Sequence, residues 1–494
     1  MKRMLSVLLA VCMLAVGGIS AAASSGYALV AGDFHAIALR PDNTVWTWGY
    51  NYAGQMGDGT RRDRPSPIII PGLSDVIEVA AGYGHTIALK EDGTVWAWGD
   101  NRNGQLGLGD RRDRGIPTQV TRISDVTAIA ANSGNSYALK SDGTVWGWGM
   151  AVDGSAYGQN MPVDTITPER VDISGVVAIA AKNSQTFALK ADGTVWGWGY
   201  DSNGSLGRGN SFLGNSTYHV TPAQVVGLTD VTKIVTGGYH TFAWKADGTI
   251  WAWGGNHAGQ FGNGQFGGTT QLSFSIPVEV PELTDIAAIA AHNSYTILLK
   301  TDGTVWTCGH SDFRWWNNES GERIEPHYVP TKVPGLTDVV AVAAGLHFAS
   351  AMQSDGTIWC WGDNEFGQLG DGTTFSSTNP VQILGATEVT IPEDYEETFY
   401  TDPYVLVGGD EITATSATPE ITWNENTMRL EVAKGLPAGT YKAMLAADDG
   451  EGYSAAKTVT VRVVKTIFST RYESTFWNWF KFVVLFGWVW MWFA

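Results

Sequence analysis

The 494 residues carry 31 Lys and Arg against 49 Asp and Glu, a formal net charge of −18. That balance excludes nucleic-acid binding as a global role, because neutralising phosphates needs basic residues in excess. Sixty Gly and 22 Trp with 16% charged residues favour an all-β chain of tight turns and repeated aromatic packing over a helical one.

In chain order, the first element reads as a leader rather than as part of a fold. Lys2 and Arg3 precede an apolar run from Leu5 to Val16, and Ala21-Ala22-Ala23 supplies small residues for cleavage. Residues 1–23 are expected to be a secretory signal peptide. Cys12 lies inside the apolar run after Val11, which disfavours lipidation. Cys308 and Cys360 then remain, and their offset within the repeats described next predicts two separate thiols.

Internal repetition dominates residues 24–391. The unit Asp-Gly-Thr-Val-Trp-x-Trp-Gly starts at Asp42, Asp92, Asp142, Asp192, Asp247, Asp302 and Asp355, with small departures such as Asn43 for Gly and Cys308 for the second Trp. Alternating apolar residues enter and leave the Asp-Gly step, which predicts a hairpin with a primed two-residue turn. A Gly-x-Asn-x-x-Gly-Gln-Leu-Gly loop follows, clearest after Gly99 and Gly362. A Pro-x-x-Val strand and a further apolar strand complete the unit. Four short strands every 50–55 residues describe a propeller blade. The spare segment Pro380–Ile383, with Val389-Thr390-Ile391, is expected to close the ring by pairing with the first blade.

Gly82 to Gly109 carries the fullest pattern, Gly-x-x-His-Thr followed by Asp-Gly-Thr-Val-Trp-x-Trp-Gly and Asn-x-x-Gly-Gln-Leu-Gly. It resembles the regulator of chromosome condensation repeat, over about residues 26–391. The resemblance implies a seven-bladed propeller without fixing a function. Members include a nuclear exchange factor, a plant ultraviolet photoreceptor and a secreted bacterial inhibitor of β-lactamases. The photoreceptor's Gly-Trp-Arg-His-Thr motifs are absent; Gly82-Tyr83-Gly84-His85 stands in their place.

Within the repeats, the Trp pairs read as packing between blades. His35, His85, His240 and His347 are assigned to one equivalent position, filled elsewhere by Asn135, Gln185 and Tyr295. That mixture suits a structural polar ring better than a metal site. Arg61, Arg62 and Arg64, with Arg111, Arg112 and Arg114, sit in matching loops of neighbouring blades and predict a local basic patch for an acidic protein loop or an anionic envelope polymer. The sixth blade replaces its glycine loop with Phe313, Arg314, Trp315 and Trp316, the residue types that anchor interfaces. No catalytic motif stands out, and no metal or cofactor is expected.

After the repeats, Ile412–Ala414, Ile421–Trp423, Met428–Val432, Thr440–Leu445 and Lys457–Val464, with Val405–Val407, read as strands of a small β-sandwich over residues 392–465. Gly435–Tyr441 resembles the strand entry of bacterial immunoglobulin-like modules. Residues 466–494 are Trp-rich with one late charge, Lys481, and read as a membrane-associating tail. The fold class is thus all-β: a seven-bladed β-propeller followed by a small β-sandwich and a C-terminal hydrophobic tail. The expected role is an exported, envelope-displayed, non-catalytic binding protein. A secreted enzyme inhibitor and an enzyme working at the propeller centre are the alternatives.

Overall fold

A computed structural model of the chain describes residues 28–40, 44–70, 72–150, 165–202, 204–209, 217–265, 273–310, 326–384, 387–392, 399–401, 411–416, 421–424, 429–432, 439–448 and 454–464, with side chains to Ile383. The expected leader, Phe313 to Trp316, Val405–Val407 and the tail from 466 lie outside the described residues.

Blade 1 is built from β1 (Ala28–Ala31), β2 (His35–Leu39), β3 (Val45–Gly49) and β4 (Arg64–Ile69), hydrogen-bonded in that order as one antiparallel sheet. Six further four-stranded sheets repeat this order, at residues 76–119, 126–170, 176–224, 231–279, 286–332 and 339–384. Their short strands bury one apolar cluster at each junction between neighbours, so the core is a ring of interfaces rather than a single mass.

The hairpin turn differs from the expected primed form. In blade 2, Gly93 N donates to Lys90 O at 2.9 Å, and Lys90 N to Thr94 O at 3.0 Å. Only Gly93, at φ 78°, is left-handed, so the loop is a three-residue turn ending in a glycine bulge. Asp and Thr are set by side-chain chemistry: Asp92 Oδ1 accepts from Thr94 N and Thr94 Oγ1, at 3.0 and 2.6 Å.

Closure also departs from expectation. The spare segment lies in Ser377–Leu384, the fourth strand of blade 7 itself, paired to Ile358–Gly362. Thr387–Pro392, which contains Val389 to Ile391, pairs in parallel with Ser454–Val464 and not with blade 1. Every blade is therefore one contiguous stretch of chain. The seam between blades 7 and 1 is held by the bonds that join other blades: Trp48 Nε1 to Gln368 O at 3.0 Å and Gly372 N to Pro65 O at 2.8 Å.

The seam has a further tie. Lys182, at the end of the innermost strand of blade 4, reaches across the axis. Its Nζ donates to Ala31 O of blade 1 at 2.9 Å and lies 3.4 Å from Ala344 O of blade 7.

Beyond the propeller, Glu411–Ser416, Gly439–Asp448 and Ser454–Val464 join Thr387–Pro392 in one sheet, and Phe399–Thr401, Ile421–Asn424 and Arg429–Val432 form another.

Candidate binding face

The repeat motif is a joint between blades. Trp98 Nε1 donates to Gln55 O of the preceding blade at 2.8 Å, and Trp148 Nε1 to Gln105 O at 2.9 Å. Buried Asn101 holds the acceptor loop, since its Oδ1 accepts from Leu106 N at 2.9 Å and its Nδ2 donates to Asp110 O at 3.0 Å. Cys308 stands where the sixth blade lacks Trp, and its Sγ still points at Gln260 O, 3.5 Å away. Cys308 and Cys360 are buried, separate thiols, as their offset implied. The first Trp of each pair does different work. Trp96 is half-buried, with Lys90 Nζ 4.7 Å from its ring centroid, and the arrangement recurs at Trp196 with Lys190 and Trp306 with Lys300.

The histidines belong to the same joints. His85 Nε2 lies 3.0 Å from Ser136 Oγ of the next blade, whose proton goes to Gln105 O at 2.8 Å. The imidazole must then donate from Nε2, which fixes the neutral tautomer. His35 repeats this through Thr86. His240 Nε2 likewise meets Thr296, whose proton goes to Gln260 O, but its Nδ1 lies 3.1 Å from Asn293 O, so its tautomer is not fixed in the same way. Burial pushes His85 down to about 4 and His35 and His240 to about 3. His347 does not share the position. His85 pairs with Gly99, and in the seventh blade Phe348 is the residue that pairs with Gly362. Among the described residues no three or more His, Cys, Asp or Glu side chains come together as a metal site would require.

The turns after the first strands and the long loops after the third strands share one face of the disc. On it, blades 7, 1 and 2 assemble an aromatic cluster. Phe34 meets Tyr50, Tyr83 and Phe366 at ring-centroid distances of 6.1, 5.7 and 5.5 Å. Tyr50 packs on Phe366 at 4.6 Å and stacks parallel to Tyr52 at 6.3 Å. Tyr52 is 64% exposed and Tyr83 42% exposed. Phe375, in the long loop of blade 7, is also open to solvent.

The arginine loops border this cluster. Arg61 of blade 1 pairs with Asp113 of blade 2 at 3.0 Å, which brings the two matching loops together as expected. Its Nη1 lies 3.5 Å from Tyr52 O. Arg111 Nη1 donates to Arg102 O at 3.0 Å, and Arg102 pairs with Asp100 at 2.9 Å while staying largely exposed. Arg62 and Arg112 are exposed in the same loops. Arg64 is not part of any surface patch: it is 1% exposed and locked onto Asp58, because its place in β4 turns the guanidinium under the loop. Arg114 is half-buried against Asp110 at 2.7 Å. The basic patch is thus smaller than the sequence implied, and aspartates balance much of it.

The five clustered aromatics escape motif reading because each occupies a variable position of the repeat. Their signal is comparative: Tyr50, Asp100, Met150 and Tyr200 share one position, so the cluster shows only when neighbouring blades are read together.

Comparison with known proteins agrees with the repeat geometry. A profile described as Regulator of chromosome condensation (RCC1) repeat matches residues 28–55, 76–105, 126–159, 176–205, 231–260 and 339–368. A second with that description matches 42–89, 92–139, 192–244, 247–299 and 355–391. The chain is 30% identical over 149 residues to the E3 ubiquitin-protein ligase HERC2 of Homo sapiens, 29% of this chain and 3% of that protein. It is 31% identical over 169 residues to the Regulator of chromosome condensation of Mus musculus, 34% of this chain and 38% of that one. Against the Ultraviolet-B receptor of Arabidopsis thaliana it is 27% identical over 185 residues, 37% of this chain and 40% of the receptor. The matched segments therefore span less than half the length of these relatives. The structure of yeast RCC1 (Prp20) bound to Kap60 shares the fold, with a TM-score of 0.60 at 24% identity over 75% of this chain and 85% of that one. Seven contiguous blades, the joints that link them and these repeat matches establish that the chain belongs to the Regulator of chromosome condensation (RCC1) repeat family.

Proposed function

We propose that this chain is a non-catalytic binding protein that engages a protein partner through the aromatic face of blades 7, 1 and 2. The observation that carries this reading is the solvent-facing cluster of Phe34, Tyr50, Tyr52, Tyr83 and Phe366, edged by Arg61, Arg102 and Arg111. Tyr and Arg at the centre of a rigid surface are the usual anchors of an interface, since they bring large contact area at low entropic cost. A relative supports the class of activity: yeast Prp20 has been solved bound to Kap60 and characterised for binding to Gsp1p and histones. Our reading also keeps Phe313 to Trp316 as a second contact loop.

The leader-like residues 1–23 and the Trp-rich residues 466–494 support display outside the cell, with residues 392–465 as an immunoglobulin-like spacer. An acidic protein or an anionic envelope polymer suits the arginine rim, and a secreted enzyme is a narrower choice of partner.

The test places a photo-crosslinking residue at Tyr52 of the full chain and, separately, at Asp192 in a hairpin turn of the opposite face. Extracts of the producing cell and of its secreted proteins are the source of partners. A specific adduct from position 52 and none from position 192 supports the reading. Adducts from 192 alone move the site to the other face.

A further inference from the structure

Three departures from the repeat meet at one end of the propeller axis. The turn between the first two strands reads Gly32-Asp33-Phe34 in blade 1. Its middle position is Tyr83, Ser133, Asn183, Gly238, Asn293 and Leu346 in the other blades, so Asp33 is the one carboxylate of the set. Its first position is Gly or Asn in five blades, and becomes Lys182 in blade 4 and His292 in blade 6.

The fold brings these three side chains to one place. His292 is fully buried, and its Nε2 lies 3.3 Å from Asp33 Oδ1. Burial pushes this imidazole down to about 4, so it is neutral and donates from Nε2 to the carboxylate. Lys182 Nζ donates to Ala31 O, two residues before Asp33, at 2.9 Å. Asp33 is itself buried. Burial works against its charge, but the His292 hydrogen bond and the Lys182 ammonium hold its carboxyl below the usual range. A buried carboxylate without such partners is costly, so the turn that carries it is held where they are. From blade 7, Leu346 N donates to Asp33 O at 2.8 Å. The turn of blade 1 is thus gripped from blades 4, 6 and 7.

The next residue in that turn is Phe34, whose ring links Tyr83 of blade 2 to Tyr50 of blade 1 and Phe366 of blade 7. Its carbonyl also accepts from Tyr50 N at 3.0 Å. We propose that Asp33, His292 and Lys182 are positioning residues for the aromatic face: the anchored carboxylate fixes the turn, the turn fixes Phe34, and Phe34 holds the tyrosines in their binding arrangement. The binding part of this claim rests on the function proposed above. Closing the axis needs no carboxylate, since other blades meet there with Gly, Ser and Asn in the same turn. Loss of the anchor should therefore disturb the face beside it and leave distant joints closed.

The experiment uses the full chain with meta-fluorotyrosine at position 83, where the side chain is exposed and its ring stands perpendicular to Phe34 at 5.7 Å. Fluorine NMR of this probe reads the ring current of Phe34, and Phe34→Leu gives the resonance without it. His292→Ala should move the line most of the way to that value. His292→Gln, whose side-chain amide can still donate to Asp33, should return it. Lys182→Met carries the same prediction if His292→Ala does not fold. Trp253→Phe, which opens space in a buried joint of blade 5, should lower the melting temperature and leave the line in place. The second measurement is the yield of the photo-adduct at position 52 from the same extracts, which should fall about fivefold in His292→Ala and recover in His292→Gln. A line that stays put in His292→Ala, one that His292→Gln does not restore, or one displaced equally by Trp253→Phe overturns the positioning. A displaced line with an unchanged adduct yield overturns its bearing on binding. An unsubstituted chain that gives no adduct sinks the proposed function instead, and the fluorine line then decides the positioning by itself.

Discussion

Trp98 of blade 2 donates its indole proton to the backbone carbonyl of Gln55 in blade 1, at 2.8 Å. The same carbonyl accepts the Thr86 hydroxyl at 3.2 Å. Two side chains of one blade thus converge on one carbonyl of its neighbour, which uses both lone pairs of that oxygen. Trp98→Phe removes one bond and leaves part of the buried indole's space empty. It should cost more than the ~1 kcal/mol that a buried hydrogen bond is usually worth. Trp96→Phe, whose half-buried indole bonds only the nearby Thr94, should cost less. Urea denaturation of both variants measures the difference.

Gly345 and Phe348 of blade 7 exclude one another's growth. A Cβ at Gly345 would fall inside the Phe348 ring. The pattern recurs at Gly82 with His85 and Gly32 with His35. Where the first position is Asn132, Lys182 or His292, the residue three further on is Asn135, Gln185 or Tyr295. Gly345→Ala should destabilise by about 1–3 kcal/mol through overpacking. Phe348→Ala empties a buried site and is costly by itself, but the double variant should lose less than the sum of the two singles, because the new methyl group then has room. Thermal melts of the two singles and the double check this.

Acid should open the joints between blades. The buried imidazoles of His35, His85 and His240 are neutral, with folded values of about 3 to 4 against 6.5 for an unperturbed ring. As pH falls through 6.5 the unfolded chain takes up protons that the folded chain refuses, so stability declines from there to about pH 4 for His85 and about pH 3 for His35 and His240. Shifts of this size correspond to about 3–5 kcal/mol per histidine. His85→Gln should flatten the slope of stability against pH between 6.5 and 4, as followed by chemical denaturation across that range.

Glu78 should act with the opposite sign. Burial in the innermost strand of blade 2 holds its carboxyl well above the usual range, and Ile129 N donates to Oε2 at 3.3 Å. The neutral acid is the folded form. Above pH 4.5 the unfolded chain loses that proton and the folded chain keeps it, so this residue weakens the fold as pH rises. Glu78→Gln should raise the melting temperature at pH 7, and the gain should vanish at pH 4.

Tyr52→Ala and Tyr83→Ala should leave stability within about 0.5 kcal/mol, because both side chains are exposed. Partner capture by the proposed face should fall at least tenfold, while Asp192→Ala should leave it intact. Surface-immobilised binding with melts run in parallel separates the two effects.

The propeller was legible in the sequence because the physics that repeats leaves residues that repeat. Asp92 and Thr94 are fixed by a turn, Asn101 by a loop that needs its two-sided amide, and Trp98 by a neighbour's carbonyl. Three details were hidden for equally physical reasons. The position of Phe348 was masked by His347 beside it, since a histidine one residue out of register looks like the motif. Contiguous closure was hidden because an outer strand reads the same whichever blade it joins. Burial of Arg64 was hidden because a run of arginines does not reveal which one lies under its loop. The aromatic cluster forms only when variable positions of three blades meet, which no single repeat displays.

A ring in which no blade borrows a strand has no privileged starting point along the chain. Joining residue 384 to residue 28 through a short linker and opening new termini between the exposed Thr121 and Arg122 should give a circular permutant with every blade intact. The same independence means that the number of blades is a property of the joints, which set the angle between neighbours, and not of the ends. A gene for such a protein can gain or lose one repeat at a time, and the limit on doing so is whether the first indole still finds the last carbonyl around the circle.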